Sequence, residues 1–182
     1  MSDAAVAPAR SCGTCTLCCK VLRIPELDKA HGVWCRHARP GHGCAIYADR
    51  PQSCRNFVCG YLASPELSEE WHPVRAKLVM VREPNGGITA VADPGRPDAW
   101  RAEPYYSQLK SWARQGIDAR RQVIVRIGSR TIAILPDKDV DLGHMDFGEQ
   151  VVIEAEEGPF GVVYNARKAS QSIVAPIRSG AP

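Results

Sequence analysis

The alternation of apolar and polar positions changes character near residue 74. Beyond that point, apolar and β-branched runs come in pairs separated by turn-forming residues. Arg75 to Arg82 and Ile88 to Ala92 flank Pro84-Asn85-Gly86-Gly87, Gln122 to Ile127 and Arg130 to Leu135 flank Gly128-Ser129, and Val151 to Glu156 and Gly161 to Asn165 flank Glu157-Gly158-Pro159. Each pair carries the signature of a β-hairpin. Between the first two pairs lies the loop Asp93-Pro-Gly-Arg-Pro, and then Tyr106, Leu109, Trp112 and Ala113 recur at helical spacing. That spacing predicts an amphipathic helix over Tyr105 to Gly116, with the glycine as its stop. Asp137 to Asp146 reads as an acidic turn. The fold class expected is α+β: an antiparallel sheet of hairpins with one long helix packed on a face.

Upstream, residues 11–61 show no comparable period and are expected to form short helices and loops. Leu62 to Pro73 reads as a connector, in which Ser64-Pro65-Glu66-Leu67 starts a short helical turn that His72-Pro73 ends. The organisation expected is therefore a region over 11–61, a connector over 62–73, a β-rich α+β module over 74–169, and a tail over 170–182 that ends Arg-Ser-Gly-Ala-Pro. No internal repeat is visible. No apolar stretch is long enough to cross a membrane.

What distinguishes the first region is sulfur. All 8 cysteines of the 182-residue chain lie between Cys12 and Cys59. Four of them fall in Cys12-Gly-Thr-Cys15-Thr-Leu-Cys18-Cys19, and Cys35, Cys44, Cys54 and Cys59 follow at wider intervals. Thiolates are soft ligands that select zinc, copper(I) or iron–sulfur clusters, so this density points to metal chemistry. The competing account is a disulfide framework of the kind that staples small secreted domains. Met1 to Arg10 has neither a signal-peptide apolar stretch nor a twin arginine, so the expected compartment is the reducing cytoplasm, where metal and not oxidation protects thiolates.

Charge sharpens the picture only locally. The net charge is +3, which is too slight to argue for nucleic acid. Residues 1–61, however, hold eight Lys/Arg against four Asp/Glu, and residues 62–182 hold fifteen against sixteen. Four thiolates around Zn²⁺ or a [4Fe-4S]²⁺ core leave a charge of about −2, which Lys20, Arg23, Arg36, Arg39, Arg50 and Arg55 are placed in sequence to offset. A zinc-finger-like nucleic-acid patch is disfavoured, because the sequence has no Cys-x2-Cys followed at zinc-finger distance by His-x3-5-His and no contiguous basic helix.

Cys12, Cys15 and Cys18 follow the Cys-x2-Cys-x2-Cys spacing by which a tight loop presents three thiolates to one [4Fe-4S] cluster, although no cysteine-proline pair follows three residues on. Zinc sites more often use two Cys-x2-Cys pairs, and a second such pair is lacking, so the spacing leans towards iron–sulfur. Adjacent side chains such as Cys18 and Cys19 usually diverge, so one of the two is a candidate for a second metal or for core packing.

Together with Cys35, these four cysteines and the run Cys44-Ala-Ile-Tyr47-Ala-Asp-Arg50-Pro51-Gln-Ser-Cys54-Arg55-Asn-Phe57 make the chain resemble the CxxCxxCC family of zinc- or iron-chelating domains, which includes flagellin N-methylase-like members. The resemblance covers about residues 11–60. It implies metal chelation without a settled reaction, and it does not reach Cys59.

The candidate metal ligands are thus Cys12, Cys15, Cys18, Cys19, Cys35, Cys44, Cys54 and Cys59, and the cofactor expected is a 4Fe-4S cluster or zinc. Tyr47 and Phe57 are expected to form an apolar lid, and Arg55 to donate hydrogen bonds to thiolate sulfur, so that Tyr47 and Arg55 are the cofactor-contact candidates. Arg50-Pro51 is expected to turn the chain and fold Cys44 and Cys54 together. His37 and His42 lie between Cys35 and Cys44 and are secondary ligand candidates. The remaining histidines are His31, His72 and His144.

Other apparent motifs fail on inspection. Asp137-x-Asp139-x-Asp141 begins like a calcium loop, but Leu142 stands where glycine is needed and Gly148 where glutamate is needed. Asn85-Gly86-Gly87 lacks the spacing of a phosphate loop. The function expected is metal binding that supports electron transfer or modification of another protein, and the alternative is a closed zinc site in a protein-interaction adaptor. No catalytic residue, specific partner or oligomeric state is legible.

Overall fold

The computed structural model describes residues 10–146 and 148–170. Of the tail expected over 170–182, Ser170 ends the last strand and the remainder lies outside the described residues. The chain is α+β. Its centre is a five-stranded sheet of β3 (Leu78–Arg82), β4 (Ile88–Ala92), β5 (Val123–Ile127), β6 (Arg130–Ile134) and β7 (Asp139–His144), in that spatial order. In the cysteine region, α1 (Leu17–Val21), the two-residue strands β1 (Ala38–Arg39) and β2 (Gly43–Cys44), and the short helices α2 (Gln52–Asn56), α3 (Gly60–Ala63) and α4 (Pro73–Ala76) precede the sheet.

The first two predicted hairpins are present. β3 pairs antiparallel with β4, and β5 with β6. In the first turn, Asn85 Oδ1 accepts from the Gly87 N–H at 2.9 Å and Gly86 sits at φ +81°, a conformation that glycine adopts without a Cβ penalty. The predicted helix is also present as α5 (Tyr105–Gly116).

The expectation of an antiparallel sheet is corrected at one seam. β4 and β5 run parallel, in register from Ile88 opposite Val123 to Ala92 opposite Ile127. The cause is the connection: the chain leaves β4, crosses through α5 and re-enters alongside, and a parallel pair needs such a crossover. The sheet is therefore mixed. All five residues of β4 are buried, as expected of a central strand covered on both faces.

Asp137 to Asp146, read as an acidic turn, contains β7 instead. Its aspartates are accommodated by specific cations. Lys110 on α5 places Nζ 3.0 Å from Asp139 Oδ1 and donates to the backbone oxygens of Leu135 and Lys138, and Arg130 pairs with Asp141. An edge strand tolerates this polarity because its outer side faces no further strand.

The third hairpin is longer than predicted, with β8 (Glu149–Gly158) and β9 (Gly161–Ser170) paired over ten positions, and it forms its own two-stranded sheet. Only its base is anchored. Val151 and Ala166 join Ala133, Leu135 and Met145 in a small core, whereas Phe160 at the tip is fully exposed.

The larger core links the cysteine region to the sheet. Leu17 and Val21 of α1, Cys59 and Tyr61 pack with Leu78, Val79, Met80, Ala90, Trp100 and Leu109. The connector over 62–73 is more helical than expected, because α3 begins before it, a 3-10 turn spans Glu69–Trp71, and Pro73 opens α4 at a position where its missing N–H costs nothing. Among the described residues, no helix is long and apolar enough to cross a membrane.

Candidate metal centre

Every cysteine of the chain lines one cavity of about 120 Å³ beside β3. They arrive from several segments, each held by local bonds. Cys12 and Cys15 bracket a tight turn closed by the Cys15 N–H donating to the Cys12 carbonyl at 2.8 Å, with Gly13 at φ +49°. Cys18 and Cys19 lie one turn further on, inside α1. The three-thiolate loop expected of Cys12, Cys15 and Cys18 is thus split between a turn and a helix.

Cys35 is buried, and its N–H donates to the Cys19 carbonyl at 3.0 Å, which fixes these two backbones side by side. Cys44 ends β2, and Gly43 before it lies beside the first loop: a Cβ at Gly43 would be 3.6 Å from the Gly13 carbonyl oxygen, an ordinary contact. Cys54 lies in α2, which Pro51 opens. That helix start is fastened by Glu26, whose carboxylate accepts from the Ser53 N–H at 2.8 Å and the Ser53 hydroxyl at 2.7 Å. Cys59 is buried at the start of α3, where its carbonyl accepts from the Leu62 and Ala63 N–H groups.

The thiols do not share one electrostatic environment. Contact with the Cys19 sulfur and burial push the Cys18 thiol far up, while the same contact, with Lys29 and Arg50 nearby, pulls Cys19 down to about 7 against the desolvation of its site. Burial raises Cys15, Cys54 and Cys59. In Cys59 this is opposed by backbone hydrogen bonds from Tyr61 and Leu62, the kind of donor that stabilises a thiolate.

Lys29 is the cation that sequence reasoning missed. It is 7% exposed, donates Nζ to the carbonyls of Lys20 (2.7 Å) and Leu22, and faces Cys19, Cys35, Cys18 and Cys54. Burial lowers its pKa and those sulfurs oppose the shift. Nothing in its sequence neighbourhood sets it apart from a surface lysine.

Of the cations proposed to offset thiolate charge, Arg23 and Arg50 line the cavity. Lys20 is committed elsewhere, its Nζ lying 2.6 Å from Asp93 Oδ1. Arg55 bonds the backbone. It donates Nε to the Arg50 carbonyl at 2.8 Å and Nη2 to the Ala48 carbonyl at 3.1 Å, so it clamps the loop before α2. Tyr47 does line the cavity, with the Arg50 guanidinium 3.8 Å above its ring, and Phe57 lines it too. His37 and His72 are at the wall, and His42 and His31 are not. His144 is distant and bonds Ser129 and Asp146.

Among the described residues, no three Cys, His, Asp or Glu side chains already converge on one metal position. The donor chemistry nonetheless fits a thiophilic ion. Eight sulfurs face one cavity with apolar walls, buried Lys29 supplies positive charge, and backbone N–H groups reach Cys59.

Comparison with known proteins adds little to this geometry. The chain matches no protein-family model and no solved structure. It is similar to human Kelch-like protein 17, with 24% identity over 129 residues, which is 71% of this chain but 18% of the other protein. The chain therefore spans less than a fifth of that relative, and a likeness of this extent assigns no family.

Proposed function

We propose that this is a metal-binding protein whose cysteine cavity holds zinc or an iron–sulfur cluster. One observation carries the reading: cysteines scattered over 48 positions, from Cys12 to Cys59, all line a single cavity whose wall also includes the cations Arg23 and Arg50. Isolated buried cysteines pack singly as small apolar residues, and their collection around one space is the arrangement a thiophilic ion requires.

The two metals imply different roles. The Cys-x2-Cys-x2-Cys spacing favours an iron–sulfur cluster, which would supply one-electron chemistry for electron transfer or for modification of another protein. Zinc is favoured by the supply of thiols from separate segments, because pairs of cysteines on independent turns close a four-thiolate shell that contributes folding energy and leaves no open position. In that case the protein is an interaction adaptor stiffened by its metal.

Purification without exposure to oxygen, followed by metal and acid-labile sulfide analysis and an ultraviolet–visible spectrum, tests the proposal. A brown protein with broad sulfur-to-iron absorption identifies the cluster. A colourless protein with stoichiometric zinc identifies the closed site. Protein that carries neither metal and takes up neither one sinks the reading.

A further inference from the structure

We infer that Arg50 is the residue by which the cysteine cavity holds its occupant: its Nε–H donates a hydrogen bond to a metal-bound cysteine sulfur, and its guanidinium offsets part of the negative charge that thiolates bring. The inference rests on the metal-binding reading and gives Arg50 the role that the sequence suggests for Arg55.

The starting observation is an orphaned donor. Arg50 lines the cavity, and its Nε is buried without a hydrogen-bond acceptor among the described residues. Buried donors are nearly always paired, and leaving one without an acceptor is unfavourable. The other buried side-chain atoms in this condition belong to Trp100, Thr131 and Asp139, none of which lines the cavity. A donor of this kind in a wall crowded with sulfur fits an acceptor that arrives with the metal, because a hydrogen bond to an ionised thiolate is charge-assisted and favours the ionised form.

The loop holds the guanidinium ready. Its Cζ lies 3.8 Å from the centre of the Tyr47 ring, a cation–π contact that limits its swing. The Arg50 carbonyl accepts from Arg55 Nε at 2.8 Å, and the Ala48 carbonyl from Arg55 Nη2 at 3.1 Å, so the backbone around Arg50 is pinned. Pro51 then disfavours helical backbone at Arg50 and opens the helix that carries Cys54.

The charge of the surroundings gives the sign of the occupant. The cavity wall includes Arg23 and Arg50 and, among the described residues, no Asp or Glu. Lys29 adds a second, independent indication. It is 7% exposed, and its Nζ is bonded to the Lys20 and Leu22 carbonyls and, among the described residues, to no carboxylate. Those carbonyls lie at the end of α1, whose Cys18 and Cys19 line the cavity, and the Cys19 carbonyl also accepts from the Cys35 N–H at 3.0 Å. A buried ammonium without a counter-ion is unfavourable, and an anionic thiolate complex beside that helix end would stabilise it.

Co²⁺ added anaerobically to the full chain stripped of metal is the probe, because thiolate-bound Co²⁺ has a sulfur-to-metal charge-transfer band whose position reports hydrogen bonding to the sulfur. Arg50→Met should lower Co²⁺ affinity by about 10–100-fold, the usual effect of removing a partner of a metal ligand, and should move the band to longer wavelength. Arg50→Lys keeps the charge but lacks the Nε–H and the planar fork, so it should show the same shift and recover only part of the affinity. Arg39→Met removes a cation of the same region that does not line the cavity, and should change neither value. Circular dichroism of the loaded proteins checks that the fold persists, and Arg50→Lys carries the test where Arg50→Met fails to load. Weaker binding with an unmoved band would make Arg50 a loop-shaping residue only, full recovery in Arg50→Lys would reduce its role to charge, and wild-type values in both variants would remove the role altogether. Each of these overturns the inference. No Co²⁺ bound by the wild type would instead overturn the metal-binding reading itself.

Discussion

Lys20 and Asp93 form the ion pair that ties α1 to the end of β4. Both side chains are mostly buried, at 20% and 13% exposure, and Nζ to Oδ1 is 2.6 Å. Burial pushes the Asp93 carboxyl up, but the Lys20 ammonium, the Gly95 N–H and the charge of Lys77 outweigh it and hold the pKa below the ordinary carboxylate value. A depressed folded-state pKa contributes stability above the unfolded value of about 3.9, and that stability is lost as pH falls through the folded one. Asp93→Asn should therefore cost about 2 kcal/mol at pH 7, on the scale of a charge-assisted hydrogen bond. The gap to wild type should close below pH 4. Urea unfolding at pH 7 and pH 3 measures both, and an equal gap at the two values would show that the pair's charge contributes nothing. The sequence marked neither partner of this pair, because Lys20 was most simply read as part of the thiolate surroundings and Asp93 as the first residue of a loop. Lys29 was equally invisible: its burial is decided by carbonyls at the end of a helix 7 to 9 positions away in sequence.

At the scale of elements, what was legible was what is local. The α5 helix and the strands of the first two hairpins fall where their periods and turns put them, because burial of one face and the turn chemistry act on neighbouring residues. β7 escaped because its aspartates are neutralised by Lys110 and Arg130, residues of other elements. The parallel seam escaped because alternation says nothing about strand direction. The cysteine region was legible as one site, but the way Cys59 reaches it was not, since that residue is carried to the cavity at the start of α3, which packs on β3. That docking depends on Gly60, whose Cβ, if present, would lie 2.7 Å from Met80 Cε, 2.9 Å from Cγ and 3.0 Å from Cβ. Met80 is fully buried, and the contacts at its Cγ and Cβ are not relieved by swinging the end of the side chain aside. Gly60→Ala should cost about 1–3 kcal/mol by overpacking, and should weaken metal retention by displacing Cys59. Thermal unfolding with metal analysis of the same sample checks this, and unchanged values would mean that Met80 repacks freely.

Across the whole molecule, stability is distributed unevenly. Among the described residues before Gly60, the buried apolar side chains are Leu17, Val21, Ile24, Cys35 and Cys59, too few to hold some fifty residues of short helices and loops without cross-links. The sheet, by contrast, buries β4 entirely and most of β3 and β6. Chelation should therefore make residues 11–60 sensitive to protease while leaving residues 78–134 resistant. Limited proteolysis with and without chelator, read by mass spectrometry, reports the difference, and equal resistance of the first segment in both would show that metal does not hold it.

The parallel seam between β4 and β5 has a kinetic consequence. Each of the two hairpins it joins closes over a few residues, whereas the seam unites strands separated by the 30 positions from Asp93 to Gln122. Loop closure over that distance has to precede any reward from the new hydrogen bonds, so joining the hairpins is the slow event. Val125→Ala, in the seam and fully buried, should slow refolding, whereas weakening the β8–β9 hairpin by Val162→Ala should act mainly on unfolding or not at all. Stopped-flow refolding and unfolding in urea separate the two cases: a Val125→Ala variant that refolds at the wild-type rate would place the seam after the barrier. In a cell, the same delay would leave two preformed hairpins with open edges for as long as the crossover takes to settle, which makes the helix between them the guardian of solubility during synthesis.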